Sequence, residues 1–221
     1  MKYILLDLDG TIIDPKLGIT KAIQYALKGQ DILIEDVDFL NKFIGPPLRE
    51  IIKDSFGFDD EETEKIVVAY REYFAETGLY ECEVYEGLRE LLFKLKEAGK
   101  ILITATSKPE VYAIKILKHL GLSECFHDIS GATLDNTRTS KASVIQYALA
   151  KNNILEIEEV VMIGDRLHDI EGAKANGLSS IGVLYGYGSR DELEAAGANY
   201  IAKDATDLYE LIMNTRDDNN F

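Results

Sequence analysis

The chain has 221 residues, of which 46% are hydrophobic and 29% charged, a composition typical of a folded globular protein. Its formal net charge of −15 argues against a nucleic-acid-binding surface, which requires an excess of lysine and arginine. The sequence contains no apolar run near the roughly 18 residues that a membrane span needs, and its first apolar segment is too short and too acidic for a signal peptide. Cys82 and Cys125 form no CxxC pair and are interpreted as free thiols of a reducing compartment. We therefore expect a cytoplasmic monomer or homodimer without nucleic-acid or membrane partners.

Five short runs rich in β-formers predict strands, and a sixth run is weaker. The strong runs lie at 2–9, 100–106, 159–165, 179–184 and 199–202, and the weak one at 125–130. Helical periodicity fills the segments between the later runs. In the segment 108–121, for example, it predicts one apolar face formed by Val111, Ile114, Leu117 and Leu120. Strands that alternate with helices predict a three-layer α/β fold, in which a Rossmann-like parallel sheet is covered by helices on both faces.

The segment between the first two strong strands is far longer than one crossover helix requires. It spans roughly 90 residues, whereas a crossover needs about a dozen. Residues 15–80 have helical periodicity throughout. We therefore predict a helical cap domain at 15–80, inserted into a core formed by 1–14 and 81–221. The polar residues 214–221 are expected to be frayed.

Polar side chains follow the predicted strands at the points where the strands end. Because ligands of open parallel sheets bind at the carboxyl ends of the strands, we expect these side chains to share one edge of the sheet. They are Asp7, Asp9, Gly10 and Thr11 after the first strand, Thr106 and Ser107 after the second, Asp165 and Asp169 after the 159–165 run, and Lys141 at the start of a helix.

Four carboxylates at one edge repel each other, so each needs a raised pKa or a counter-ion. A hard divalent cation with oxygen ligands, such as Mg²⁺, resolves this conflict. One carboxylate can then attack a phosphorus atom and form an aspartyl-phosphate, while a second can protonate the leaving oxygen and later activate water. Thr106 and Lys141 can hold the phosphoryl oxygens. The pattern indicates phosphoryl transfer.

Four motifs in order, "DLDGT" (7–11), "TSK" (106–108), Lys141 and "GDRLHD" (164–169), resemble the haloacid dehalogenase (HAD) superfamily. That resemblance implies a phosphatase with a Rossmann-like core and a helical cap inserted after the first motif. True dehalogenases lack the second aspartate of the first motif, so its presence here indicates phosphoryl transfer. The implied catalytic roles are Asp7 as nucleophile and Asp9 as general acid/base. Thr106 and Lys141 would bind phosphate, and Gly10 and Ser107 are further substrate-binding residues. Asp7, Asp165 and the Asp9 carbonyl would bind Mg²⁺, and Asp169 would support the metal's waters or Lys141.

Two further segments, "IGPPL" (44–48) and "YGYGSRDEL" (185–193), resemble the phosphoglycolate-phosphatase-like branch, particularly members described as 5′-nucleotidases. The resemblance implies a small phosphorylated metabolite as substrate, with phosphoglycolate and nucleoside 5′-monophosphates as candidates. Two alternatives remain open. A phosphomutase of the β-phosphoglucomutase type shares the core residues, and a non-catalytic phosphate-binding module could use the same scaffold.

Several of these residues also have a purely structural interpretation. Asp7 and Asp9 suit a turn after a strand, and Ser107 suits the N-cap of a capping box. Lys141 is predicted in the first turn of a helix, where the dipole disfavours a cation unless an anion binds there. Asp169 suits a helix N-terminus. Pro47 is predicted to start a cap helix. Arg49, two residues later, is either a contact to the non-phosphate part of the substrate or an ordinary solvated arginine.

Overall fold

The computed structural model describes residues 1–34, 36, 38–45, 48–135 and 137–214. The chain divides into two compact units, one formed by Met1–Ile13 and the chain from Val84 onward, the other by Asp14–Glu83. Within the described residues, no helix has the length and hydropathy that crossing a membrane requires. Pro47, where we predicted a helix start, and the tail from residue 215 lie outside the described residues. The role of the second unit as a cap stays a prediction.

The predicted parallel sheet is confirmed. The strands of the described residues are β1 (Tyr3–Leu6), β2 (Ile13–Asp14), β3 (Glu83–Val84), β4 (Ile101–Pro109), β5 (Asp128–Ala132), β6 (Val160–Gly164), β7 (Ser179–Val183) and β8 (Tyr200–Ala202). Six of them form the sheet in the order β5-β4-β1-β6-β7-β8, and each neighbouring pair is parallel. The two very short strands, β2 and β3, form a separate sheet.

Helices make up most of the remaining structure. The second unit contains α1 (Lys16–Lys28), α2 (Leu48–Phe56) and α3 (Asp60–Glu76), with short 3₁₀ turns at Asp38–Phe43 and Gly78–Tyr80. The first unit contains α4 (Leu88–Glu97), α5 (Glu110–His119), α6 (Lys141–Lys151), α7 (Leu167–Ala175), α8 (Arg190–Ala196) and α9 (Ala205–Asn214), with 3₁₀ turns at Ser123–Cys125 and Ile157–Glu159.

The central strand β1 is buried on both faces of the sheet. Ile4, Leu5 and Leu6 are consecutive and fully buried, although successive side chains of a strand point in opposite directions. On one face, Leu5 packs with residues of the neighbouring strands and of α6 and α7, among them Ile103 and Val144. Burial on both faces is typical of parallel sheets covered by helices, so the continuous apolar run correctly predicted a strand of such a sheet.

The junction between β4 and α5 differs from the sequence expectation. Strand β4 extends to Pro109, which pairs with Ala132 of β5 after a register shift that follows Thr106. Helix α5 begins at Glu110, and its N-cap residue Pro109 makes no side-chain capping bond. The prediction that Ser107 caps this helix is therefore wrong, because pairing with β5 holds the chain extended through the positions where the capping box would form.

The predicted apolar face of α5 is also partly wrong. Val111 and Ile114 are 47% and 43% exposed. The helix instead buries Ala113, Ile116 and Leu117. These three positions have the i, i+3, i+4 spacing of a helix face, so the buried face is rotated relative to the predicted one and shares only Leu117 with it.

Candidate active site

The carboxyl ends of three adjacent strands, β4, β1 and β6, carry the predicted site residues. The Asp7 amide donates to the Ile163 carbonyl at 2.9 Å, which continues the β1–β6 ladder by one residue. Asp165 directly follows β6, and Thr106 lies in the last part of β4. The order of the strands in the sheet therefore brings together segments that are about 60 to 160 residues apart in the chain.

Lys141 is the cation at the centre of this edge. Its Nζ lies 2.8 Å from Asp7 Oδ1 and 2.7 Å from Asp169 Oδ1, and it donates to the Ala105 carbonyl at 3.1 Å. The side chain is only 4% exposed. Burial by itself lowers the pKa of Lys141, but the carboxylates of Asp169 and Asp7 outweigh burial and raise it well above its usual value. Lys141 therefore carries a positive charge at neutral pH, and Ser140 caps the helix that carries it.

Asp169 lies at a helix N-terminus and also contacts Lys141. It lies in the first turn of α7, where its Oδ2 accepts from the Arg166 amide at 3.1 Å. Its Oδ1 forms the ion pair with Lys141. Burial raises the pKa of Asp169 to about 6 against the opposing attraction of Lys141. The helix terminus thus orients a carboxylate that also holds the lysine.

Asp165 is almost completely buried. Its Oδ2 accepts from the Tyr187 amide at 2.8 Å, and its Oδ1 accepts from the Thr11 hydroxyl at 3.4 Å. Burial and the neighbouring carboxylates of Asp169 and Asp7 raise the pKa of Asp165 to about 8. Full ionisation of this group at neutral pH therefore requires a positive charge beside it.

Three carboxylates at this edge are close enough to share a cation. One oxygen each from Asp7, Asp165 and Asp169 lies within 4.8 Å of the others, and all three residues are buried. Asp9 adds a fourth carboxylate to this edge, and Lys141 and Lys108 supply two ammonium groups. When all six groups are ionised, their net formal charge is −2. A divalent cation with oxygen ligands matches this charge and donor set, so these residues could hold Mg²⁺.

Asp9 is paired with a residue that the sequence analysis did not identify. Its Oδ2 lies 2.8 Å from Lys108 Nζ, and the two side chains are 15% and 5% exposed. The other oxygen, Oδ1, is buried and has no hydrogen-bond partner among the described residues. Burial raises the pKa of Asp9 even though Lys108 opposes the shift. The only sequence signal for Lys108 is its place as the last letter of "TSK".

Comparison with known proteins identifies the family. Residues 4–183 match the family described as haloacid dehalogenase-like hydrolase. The chain belongs to this family, as its motifs predicted. It is a phosphatase of that family, a phosphoric monoester hydrolase.

Individual relatives extend over almost the whole chain. A 5′-nucleotidase of Pseudomonas aeruginosa is 44% identical over 209 residues, which cover 95% of this chain and 94% of that protein. Tyrosine-protein kinase PtkA of Mycobacterium tuberculosis is 36% identical over 205 residues, covering 93% and 69% of the two chains. Among solved structures, a predicted phosphatase from Clostridium acetobutylicum has a TM-score of 0.90 and 44% identity, covering 96% of this chain and 98% of that one.

The remaining predicted residues of this hydrolase fall into two groups. Gly10, Thr106 and Ser107 lie at the same sheet edge. Gly10 has a φ of +80°, and a Cβ at this position would overlap the Asp165 carboxylate. Thr106 is buried, and its Oγ1 accepts a hydrogen bond from the Lys108 amide at 3.1 Å. Arg49 belongs to the second unit, where it lies in α2, forms an ion pair with Glu64 and is 45% exposed.

Proposed function

We propose that this protein is a Mg²⁺-dependent phosphatase that hydrolyses small phosphomonoesters through an aspartyl-phosphate on Asp7. The favoured substrates are nucleoside 5′-monophosphates, with phosphoglycolate as the second candidate. The observation that carries the proposal is the cluster of buried carboxylates around a charged lysine, with Asp7 held 2.8 Å from Lys141. The 44% identity to a 5′-nucleotidase supports the choice of substrate class.

Within the part of the chain that the structure describes, contacts to one oxygen hold Asp7 in one orientation. Its Oδ1 accepts from the Leu8 amide at 2.8 Å and pairs with Lys141 at the same distance. We assign Oδ2 as the nucleophile, because contacts that restrain one oxygen orient the other. A lone pair of Oδ2 attacks phosphorus, the bond to the ester oxygen breaks, and the acyl-phosphate of Asp7 forms.

Asp9 transfers the proton in both half-reactions. It protonates the departing ester oxygen and then accepts a proton from the water that attacks the phosphorus of the aspartyl-phosphate. That attack breaks the bond between phosphorus and Asp7, which releases inorganic phosphate and restores both aspartates. The 2.8 Å ion pair with Lys108 supports this role, since it holds the Asp9 carboxylate in place.

The charged groups of this edge stabilise the transferring phosphoryl group. Asp7, Asp165 and the Asp9 carbonyl are the proposed Mg²⁺ ligands, and the bound cation supplies the positive charge that lets ionised carboxylates and phosphoryl oxygens share one site. Lys141 and Thr106 bind phosphoryl oxygens as charge develops on them. Asp169 keeps Lys141 in position through their 2.7 Å contact.

The second unit, Asp14–Glu83, is proposed to act as the cap that selects the substrate. In this proposal its closure also excludes water until Asp7 is phosphorylated. The proposal follows from the position of the insertion after the first motif.

A Mg²⁺-supported screen of nucleoside monophosphates, sugar phosphates, phosphoglycolate and pyrophosphate tests the function. We expect phosphate release from at least one nucleoside 5′-monophosphate and loss of turnover on addition of EDTA. Asp7→Asn should reduce kcat by about 10³-fold or more, because it removes the nucleophile. Asp191→Asn changes an exposed aspartate and serves as the matched control.

Three other results of these assays would contradict the proposed function. Full activity of Asp7→Asn excludes an aspartyl-phosphate on this residue. A sugar phosphate that is isomerised without phosphate release would identify a phosphomutase instead. No hydrolysis across the panel, combined with measurable phosphate binding, would identify a non-catalytic module.

A further inference from the structure

Residues 185–188, with the sequence Tyr-Gly-Tyr-Gly, form a loop shortly after β7 that the reaction described above does not use. We call it the 185–188 loop. Its neighbours in space are Asp165 and the segment that follows β1, residues 10–11. It therefore lies against a proposed Mg²⁺ ligand, although none of its side chains is placed in the catalytic machinery.

The backbone of the loop contacts Asp165 closely. The Tyr187 amide donates to Asp165 Oδ2 at 2.8 Å. A Cβ on Gly188 would overlap the Asp165 carbonyl oxygen, and a Cβ on Gly186 would overlap both the Asp165 side chain and the Gly10 carbonyl oxygen. Glycine is thus required at both positions for the amide between them to reach the carboxylate.

Tyr185 connects this loop to the segment after β1, which contains the proposed nucleophile Asp7. Its hydroxyl donates to the Thr11 carbonyl at 3.1 Å, and its ring packs against Tyr85 with 5.2 Å between centroids. The Thr11 hydroxyl in turn donates to Asp165 Oδ1 at 3.4 Å. These contacts form a closed circuit of hydrogen bonds that joins the loop, Thr11 and Asp165. In it, each carboxylate oxygen of Asp165 accepts one hydrogen bond and keeps a lone pair for another ligand.

We propose that the 185–188 loop is the element that positions Asp165 for cation binding, and that Tyr185 is its positioning residue. The inference rests on the proposed function, since it takes Asp7, Asp165 and Asp169 as the group that faces the cation. When ionised, as cation binding requires, the three carboxylates repel one another, because their oxygens lie within 4.8 Å. The Tyr187 amide and the Thr11 hydroxyl hold Asp165 against that repulsion, and the Tyr185 hydroxyl fixes the loop that presents the amide. Hydrogen bonds around metal ligands typically contribute 10- to 100-fold to metal affinity.

The test is the Mg²⁺ affinity of the substrate-free protein with Tyr185→Phe, measured by calorimetric titration with MgCl₂ and by the rise of the unfolding temperature with Mg²⁺ concentration. This variant keeps the ring and removes only the hydroxyl. We expect Mg²⁺ affinity to fall about tenfold and activity to recover at saturating Mg²⁺. Tyr200→Phe, on the exposed edge strand β8, is the matched control and should bind Mg²⁺ as the wild type does.

An unchanged Mg²⁺ affinity in Tyr185→Phe overturns the inference, even if its metal-free unfolding temperature falls, because the loop would then be only structural. If Tyr185→Phe does not fold, Thr11→Val and Thr11→Ser test the same circuit. Thr11→Val removes the hydroxyl and should weaken Mg²⁺ binding. Thr11→Ser retains the hydroxyl and should leave Mg²⁺ binding unchanged. Equal affinities for these two variants also overturn the inference. A wild-type protein that binds no Mg²⁺ refutes instead the cation site of the proposed function, so the two failures are distinguishable.

Discussion

Replacing Lys141 with methionine removes a buried positive charge while keeping most of the side-chain volume. Lys141 Nζ lies 2.8 Å from Asp7 and 2.7 Å from Asp169, and the lysine side chain is 4% exposed. Removing one partner of a buried ion pair leaves the other charge uncompensated, which typically costs about 3–5 kcal/mol. We therefore expect Lys141→Met to lower the free energy of unfolding of the metal-free protein substantially.

Two effects reduce this cost. Lys141 is the first residue of α6, so its removal relieves an unfavourable interaction with the helix dipole of roughly 0.3–1 kcal/mol. The remaining carboxylates can also take up a proton, since the pKa of Asp169 is already raised to about 6. The net loss expected at pH 7 is about 2–4 kcal/mol. The deficit should shrink as pH falls towards about 6, because Asp169 of the variant lacks the opposing attraction of Lys141 and takes up its proton at a higher pH than in the wild type.

Lys151 provides the matched control, since it is the last residue of the same helix. Its side chain is 33% exposed and lies 2.8 Å from Asp128. A partly exposed pair contributes up to about 1 kcal/mol, and the favourable dipole interaction at this end adds roughly 0.3–1 kcal/mol. Lys151→Met should therefore cost about 1 kcal/mol and show no corresponding recovery near pH 6.

Urea unfolding of both variants without metal, at pH 7 and pH 5, measures these differences. If Lys141→Met loses no more stability than Lys151→Met, burial of the ion pair does not dominate and the reasoning is refuted. A deficit that persists unchanged at pH 5 would show that lost packing, rather than unpaired carboxylates, is responsible.

Three further predictions concern pH, proton transfer and substrate binding. Relative to Asp165→Asn, the metal-free wild type should lose stability as pH rises from about 4 to about 8. Folded Asp165, with its pKa raised to about 8, holds a proton that the unfolded chain releases near pH 4. Parallel curves of unfolding free energy against pH for the two proteins, measured by denaturant unfolding, would contradict this. Lys108→Met should lower kcat/KM for alkyl phosphates about tenfold more than for p-nitrophenyl phosphate, since only the alkoxide leaving group needs the proton of Asp9. Lys108→Arg should retain most activity. Equal losses of kcat/KM for both substrates would refute a positioning role for Lys108. Arg49→Ala should raise KM for the best substrate with little change in kcat, whereas an unchanged KM would leave Arg49 as a solvated partner of Glu64.

Much of the site could be predicted from the sequence because its chemistry is concentrated at strand ends. Asp7 directly follows three fully buried strand residues, Ile4, Leu5 and Leu6, and buried strands exclude carboxylates unless function retains them. The alternation of strands and helices predicted a parallel sheet, whose geometry collects strand ends at one edge. Lys141 was identifiable because a cation in the first turn of a helix opposes the dipole and needs a reason to be there.

Other contacts could not be predicted because they depend on long-range packing. Lys108 pairs with Asp9 across about 100 residues of chain, and both letters also fit ordinary turn positions. The "YGYG" segment was visible as a resemblance, but its contact with Asp165 depends on β6 and β7 being neighbours. The start of α5 was mispredicted because pairing with β5 overrode a local capping signal at Ser107.

The sequence by itself determined the fold class, the family and the residue types that meet at the edge of the sheet, because these follow from periodicity and from motifs a few residues long. Only the tertiary structure decided which charge faces which: Lys141 between Asp7 and Asp169, Lys108 on Asp9, and the 185–188 loop on Asp165. The physical reason is that these interactions depend on distances of about 3 Å between segments far apart in the chain. Strand order and the close approach that glycine permits set such distances, and local sequence preference does not.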